Sequence, residues 1–211
     1  MPSNKVADVP LSDPLLARGW LLALARPREG KLLVMPIVRP ANRSDLSRLV
    51  AIYNHYVEHS IATFDTTPTS VEDRAAWFET FSDTGPHRLL VAGEDGRVLG
   101  CASSGPYRAH PAFGRTVEVS VYIDPEIRAT GVGSALYGAL FDELRTQEVH
   151  LAVAGIALPN DASVALHRKF GFTDVGVFEE TPQSTVLTSV PFGCNAASEP
   201  SGRPGATPGH A

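Results

Sequence analysis

Residues 116–133, TVEVSVYIDPEIRATGVG, read as a strand that alternates without a break and then runs into a glycine-rich turn. Successive side chains of extended backbone point to opposite sides, so Val117, Val119, Val121 and Ile123 share one face and Glu118, Ser120 and Tyr122 the other. Gly131 and Gly133 then open a helical stretch from about Ser134 to Gln147. Glycines at such a turn let the backbone approach a ligand closely, and the helix behind it presents free N–H groups and its positive dipole end. The turn suits a phosphate or pyrophosphate, and it equally suits a plain connection, because a lone G-x-G is a weak signal. No Gly-Lys-Ser/Thr follows, which excludes a Walker loop, and no third glycine completes the dinucleotide fingerprint.

Downstream of the turn, an apolar strand is expected from Val149 to Ile156, then a helix from Asn160 to Phe170 that Gly171 ends by taking a left-handed C′ position. Upstream, Ser44 is a plausible N-cap for a helix carrying Leu46, Leu49, Val50, Tyr53 and Val57 at helical spacing. Ser70 and Asp73 resemble a capping box before Trp77, Phe78 and Phe81. Leu89 to Gly93 and Arg97 to Ser103 form a hairpin around Glu94-Asp95-Gly96. A strand-like run starts at Met35. The resulting order is strand, helix, helix, strands, helix, strand, helix. It predicts an α/β (α+β) architecture: a sheet covered by helices, with a parallel crossover around the helix at Ser134.

Composition divides the 211-residue chain into an N-terminal extension (1–35), one domain (36–180) and a Pro/Gly-rich tail (181–211) expected to be largely disordered. A formal net charge of -5 provides no basic field for a phosphate backbone, so nucleic acid is not expected as a partner. Two cysteines far apart, Cys101 and Cys194, suggest neither a disulfide framework nor a metal site. Residues 15–25 (LLARGWLLALA) are interrupted by Arg18 and fall well short of the roughly 20 apolar residues a span needs. A cytoplasmic protein with no membrane partner is expected. His55 and His59 sit four apart on a helix, a spacing that can hold zinc, but no third ligand accompanies them, and no metal is expected.

The strand at 116–124, Arg128-x-x-Gly131-x-Gly133 and Asn160-x-x-Ser163-x-x-Leu166-His167-x-x-x-Gly171-Phe172 together resemble the acetyl-CoA signature of the GNAT superfamily in order and spacing. Tyr53-Asn-His-Tyr56, Ala62-Thr-Phe-Asp65, Gly105-Pro-Tyr-Arg-Ala109 and the run Leu158 to His167 are similar to the phosphinothricin acetyltransferase branch. The resemblance covers about Ile37 to Phe178. It implies a GNAT fold, with a central mixed sheet covered by helices on both faces and splayed strands forming an acetyl-CoA cleft. It also implies N-acetylation of a small amine acceptor such as phosphinothricin, methionine sulfoximine or methionine sulfone, and a homodimer. Another small amine, a peptide N-terminus, or acyl-CoA binding without turnover is the alternative.

Acetyl transfer from a thioester to an amine needs a neutral amine, a polarised carbonyl and a proton for the thiolate. Glu118, on the polar strand face, reads either as an exposed acid or as the general base the resemblance implies. His167 reads either as a structural histidine closing its helix or as a general acid or thiolate stabiliser. The resemblance implies cofactor contacts from Val121, Tyr122, Ile123, Arg128, Ala129, Thr130, Gly131, Val132, Gly133, Ser134 and Asn160. For an anionic acceptor, Arg88, Arg108, His110 and Arg115 are candidate cations, and Phe64, Tyr107 and Tyr122 candidate walls, with Phe64, Tyr107, Arg108 and Glu118 the preferred set. Members of the resembled branch usually carry arginine where His110 stands. They continue after position 180 into a final strand pair, whereas here residues 185–190 are expected to supply one short strand and the tail none.

Overall fold

The computed structural model describes residues 36–127, 131–179 and 184–192. The alternation at 116–123 sits at the centre of the result. Strand β1 (Ile37–Pro40) leads through a short 3-10 turn into helix α1 (Leu46–His59) and helix α2 (Val71–Phe78). Strands β2 (Arg88–Glu94), β3 (Arg97–Pro106) and β4 (Thr116–Ile123) follow, then α3 (Val132–Leu144), β5 (Leu151–Ala157), α4 (Asp161–Lys169), β6 (Thr173–Phe178) and β7 (Thr185–Pro191). The strands form one sheet in the order β1-β2-β3-β4-β5-β7-β6. Every pairing is antiparallel except β4 with β5, which α3 connects as the parallel crossover.

Each face of the sheet is covered for a visible reason. Helix α3 buries Leu136, Tyr137, Leu140, Phe141 and Leu144 against Val117, Val119, Ala152 and Ala154. On the other face, Leu49 and Ile52 of α1 pack with Leu89, Val91 and Cys101, and Trp77, Phe78 and Phe81 close over them. The β2–β3 turn is carried by Asp95 (φ 50°) and Gly96 (φ 79°), the paired positive φ that a tight Asp-Gly hairpin requires.

Several local expectations are corrected. Ser44 does not cap α1. It lies in the 3-10 turn Arg43–Asp45, capped by Asn42 in a reciprocal box with Asp45, and α1 begins at Leu46. Ser70 does cap α2, accepting from the Asp73 N–H at 3.0 Å. The largest difference is at the C-terminal end. The sequence reading has no strand at 173–178, and of the tail only 185–190, yet β6 and β7 form an antiparallel pair, with β7 inserted beside β5 over its whole length. The reason is tertiary: the side of β5 away from β4 is an open edge that β7 pairs along its whole length, and β6 then pairs β7. Residues 1–35 and 193–211, on which the readings of an N-terminal extension and of most of the tail fall, lie outside those described.

Candidate active site

Strands β4 and β5 pair only at Thr116–Leu151, Val117–Ala152 and Glu118–Val153. Beyond that point they part: β5 stays bonded to β7 while β4 stays bonded to β3 as far as Ile123. One edge of residues 119–123 therefore faces a cleft of about 360 Å³ between the strands. Val119 to Ile123 line one wall, Gly155 to Ala157 with Asn160, Ser163, Leu166 and His167 the other, and Gly131, Val132 and Gly133 one end. Glu118 is not in the lining. It is the last β4 residue before the strands part, immediately beside the cleft.

The two glycines do different work. Gly131 has φ +76° and caps α3, with no neighbour near the position of a Cβ; its role is conformational. Gly133 is helical, and a Cβ there would lie 3.1 Å from Leu166 Cδ2, so it lets α3 approach α4. No side chain caps the N-terminus of α3, which leaves the N–H groups at that end to a ligand. Lys169 donates to Ser134 Oγ at 2.8 Å and adds a cation beside them. Arg128, Ala129 and Thr130 lie outside the described residues.

Asp124 directly follows β4 and is 1% exposed. Burial works to raise its pKa, but the Glu126 N–H and the guanidiniums of Arg97 and Arg48 hold the carboxyl below its ordinary range. This clamp fixes the strand end from which the glycine turn departs. From the other side, Tyr56 of α1 donates its hydroxyl to the Ile123 carbonyl at 2.7 Å. Neither contact was legible in sequence, because Arg48 and Asp124 are 76 positions apart and Tyr56 and Ile123 are 67.

Glu118 is open to solvent on one side, and the protein around its other sides desolvates it, raising its pKa above the ordinary carboxylate value. Among the described residues it has no hydrogen-bonded partner. His167 is 4% exposed. Its Nδ1 lies 2.8 Å from the Ser163 carbonyl, which can only accept, so Nδ1 carries the hydrogen and Nε2 accepts from the Tyr137 hydroxyl at 2.9 Å. Burial, opposed in part by the Ser163 bond, lowers the pKa and keeps the ring neutral. Tyr137, 0% exposed, lines the cleft beside His167 and was not among the residues singled out from the sequence. Asn160 caps α4, accepting from the Ser163 N–H at 3.2 Å, and also lines the cleft.

The acceptor candidates do not converge as one group. Arg88 is buried, bonded to Glu143 at 2.5 Å and to the Ser82 carbonyl, and is removed as an acceptor cation. His110 instead caps a short turn, its Nδ1 accepting from the Ala112 N–H at 3.1 Å. Arg115 donates to the Glu148 carbonyl. Arg108 lies over Tyr107 at 5.1 Å in the exposed β3–β4 connection, and Phe64, 60% exposed, stands in the α1–α2 connection. Cys101 is buried with its thiol pKa pushed up to about 12, and has no nucleophilic role. His55 and His59 stack at 4.7 Å. Among the described residues no three His, Cys, Asp or Glu gather as a metal site, and no helix is long and apolar enough to cross a membrane.

The chain as a whole is matched in known proteins. Residues 49–172 match the acetyltransferase (GNAT) family. The chain belongs to that family. It is 47% identical over 145 residues to a phosphinothricin N-acetyltransferase of Streptomyces coelicolor, covering 68% of this chain and 85% of that one. It is 38% identical over 146 residues to an L-methionine sulfoximine/L-methionine sulfone acetyltransferase of Pseudomonas aeruginosa, covering 69% and 85%. Among solved structures, a GNAT superfamily phosphinothricin acetyltransferase from Sinorhizobium meliloti in complex with AcCoA superposes with a TM-score of 0.72 at 29% identity, covering 80% of this chain and 94% of that one. The protein is thus a GNAT N-acetyltransferase.

Proposed function

We propose that this acetyltransferase transfers the acetyl group of acetyl-CoA to the α-amino group of a small amino-acid-like acceptor, of the phosphinothricin, methionine sulfoximine or methionine sulfone type. The observation that carries the reading is the position of Glu118, a partly desolvated carboxylate without a hydrogen-bonded partner among the described residues, at the point where the strands part. The free edge of β4 meets the thioester arm of acetyl-CoA, and the glycine turn with α3 receives its pyrophosphate. Glu118 takes a proton from the acceptor ammonium, directly or through a water, and the amine adds to the acetyl carbonyl. Collapse breaks the carbon–sulfur bond, leaving the amide and a thiolate that takes up a proton. His167 and Tyr137 line the cleft on the thiolate side; the one hydroxyl hydrogen of Tyr137 is engaged by His167 Nε2, so the thiolate takes its proton from solvent while this buried pair shapes the wall beside it. The names of the relatives support the acceptor class. The reading includes a cytoplasmic homodimer. The edge strand β6, with Val175, Val177 and Phe178 exposed, is the apolar surface that supports pairing.

The test is thiol release from acetyl-CoA by the full-length protein, offered phosphinothricin, methionine sulfoximine and methionine sulfone in parallel with a no-acceptor control. Acceptor-dependent release is expected. Acetyl-CoA binding by calorimetry without release on any acceptor overturns the reading in favour of a non-catalytic acyl-CoA binder.

A further inference from the structure

Arg74 of α2 has its guanidinium carbon 4.1 Å from the centroid of the Tyr53 ring and 4.5 Å from that of Trp77. Both contacts use ring faces. A guanidinium stacked in this way keeps its planar fork of N–H donors along its edge, and it never loses its charge. Among the described residues no carboxylate or carbonyl receives those donors. Tyr53 is itself held in place, because its hydroxyl donates to Asp65 and meets Thr63 Oγ1 at 2.9 Å. Its ring stands edge-on to Tyr122 at 5.3 Å and 81°.

Tyr122 lies on the Glu118 face of β4, and the β3–β4 register shows what lies between them. On that face Tyr122 is beside Cys101, Ser120 beside Ser103 and Glu118 beside Gly105. Tyr122 and Cys101 are covered by α1 and α2. The next two pairs contribute only two hydroxymethyl groups, a glycine and the carboxylate. The sheet there is a short polar floor, with Glu118 at one end and Tyr122, Tyr53 and Arg74 at the other. The Glu118 and Tyr122 Cα atoms are about 13 Å apart along the strand at roughly 3.3 Å per residue, and side chains reach inward from both ends. What remains suits a short molecule with an amine at one end and oxygens at the other.

We infer that Arg74 is a specificity-determining residue for the acceptor, its guanidinium edge receiving the oxygen-bearing end of the acceptor's side chain while the amine lies at Glu118. The inference rests on the proposed acceptor class and assigns to Arg74 the task for which Arg88, captured by Glu143, is unavailable. A cation held by two aromatic faces has little rotamer entropy left to lose on binding, so its hydrogen bonds contribute to selection among acceptors.

Methionine sulfone and methionine differ only in the two sulfone oxygens, so they separate this role from a general one. Full-length wild type, Arg74→Gln and Arg74→Lys are compared for KM and kcat on both acceptors, for binding of methionine sulfone by calorimetry, and for melting temperature and acetyl-CoA affinity as controls. The expected result is a KM for the sulfone raised about 10-fold to 100-fold in Arg74→Gln, the loss of one or two charge-assisted hydrogen bonds. The KM for methionine should stay within about twofold, and Arg74→Lys should fall between, since an ammonium keeps the charge without the fork. Equal increases for both acceptors, or none for either, overturn the inference. A wild type that binds the sulfone without acetylating it overturns the proposed reaction alone, and the ratio of sulfone affinities between wild type and variant then decides Arg74. A wild type that neither binds nor acetylates it overturns both.

Discussion

The proposed cofactor side and the proposed acceptor side are built from different materials. The cofactor side consists of the unpaired edge of β4, a glycine turn and the uncapped end of α3: backbone groups, with side chains kept small or apolar. The proposed acceptor side consists of Glu118, Ser120, Tyr122 and Arg74, from β4 and α2. The difference teaches where sequence change is tolerated. A site made of backbone binds the same group whatever the side chains, provided the geometry holds, whereas a site made of side chains changes what it accepts with each substitution.

Separating the two sides experimentally begins with Glu118→Gln. On this division, kcat/KM falls about 10²–10⁴-fold, the usual contribution of a general base, while calorimetric affinity for acetyl-CoA is unchanged. Wild-type kcat/KM should decline on the acid side, with its limb shifted upward because burial raises the Glu118 pKa; the variant should lack that limb. Comparable losses of affinity and turnover would dissolve the distinction. Gly133→Val probes the opposite side. The added Cβ falls 3.1 Å from Leu166, and the overpacking is expected to cost about 1–3 kcal/mol of stability in a denaturant titration. It should weaken acetyl-CoA more than it changes the KM of the acceptor; the reverse order would mean that the glycine turn serves the acceptor.

The smallest effect concerns His167, where the two sides meet. Its folded pKa is depressed by burial, so the folded state favours the neutral ring and the unfolded chain binds the proton more readily. Stability from this group is therefore present above the unfolded value near 6.5 and is lost as pH falls through it toward the depressed folded value. Urea midpoints at pH 7.5 and pH 5.5 should drop further for wild type than for His167→Gln, although the variant is the less stable protein at both. Equal drops would show that the ring is not held neutral.

Much of the fold was legible because its signals are local. The alternation of 116–123, the Asp-Gly hairpin, the left-handed Gly171 and the apolar stripe of α1 each lie within a few residues. Strand β6 was not legible, because all six residues are exposed and the segment shows no sustained apolar alternation; pairing with β7 makes it a strand. Of the candidate site residues, Val121, Tyr122, Ile123, Gly131, Val132, Gly133, Asn160 and His167 gather at the cleft, and Phe64, Tyr107 and Arg108 stand on connections away from its lining. Loops show which residues they carry; their sequence does not show where those residues end up.

By itself the sequence determined which segments alternate, which turn on glycine, and that a carboxylate would stand on the polar face of the central strand. Tertiary structure alone decided where β4 and β5 part, that Arg88 is captured by Glu143 at a separation of 55 positions, that Tyr137 bonds His167 at 30, and that Arg74 is stacked on Tyr53 and Trp77. Periodicity reports only what neighbours along the chain have in common. A charge's partner, a ring's tautomer and a strand's free edge are set by whatever packs against them, and here those groups come from elements far apart in the chain.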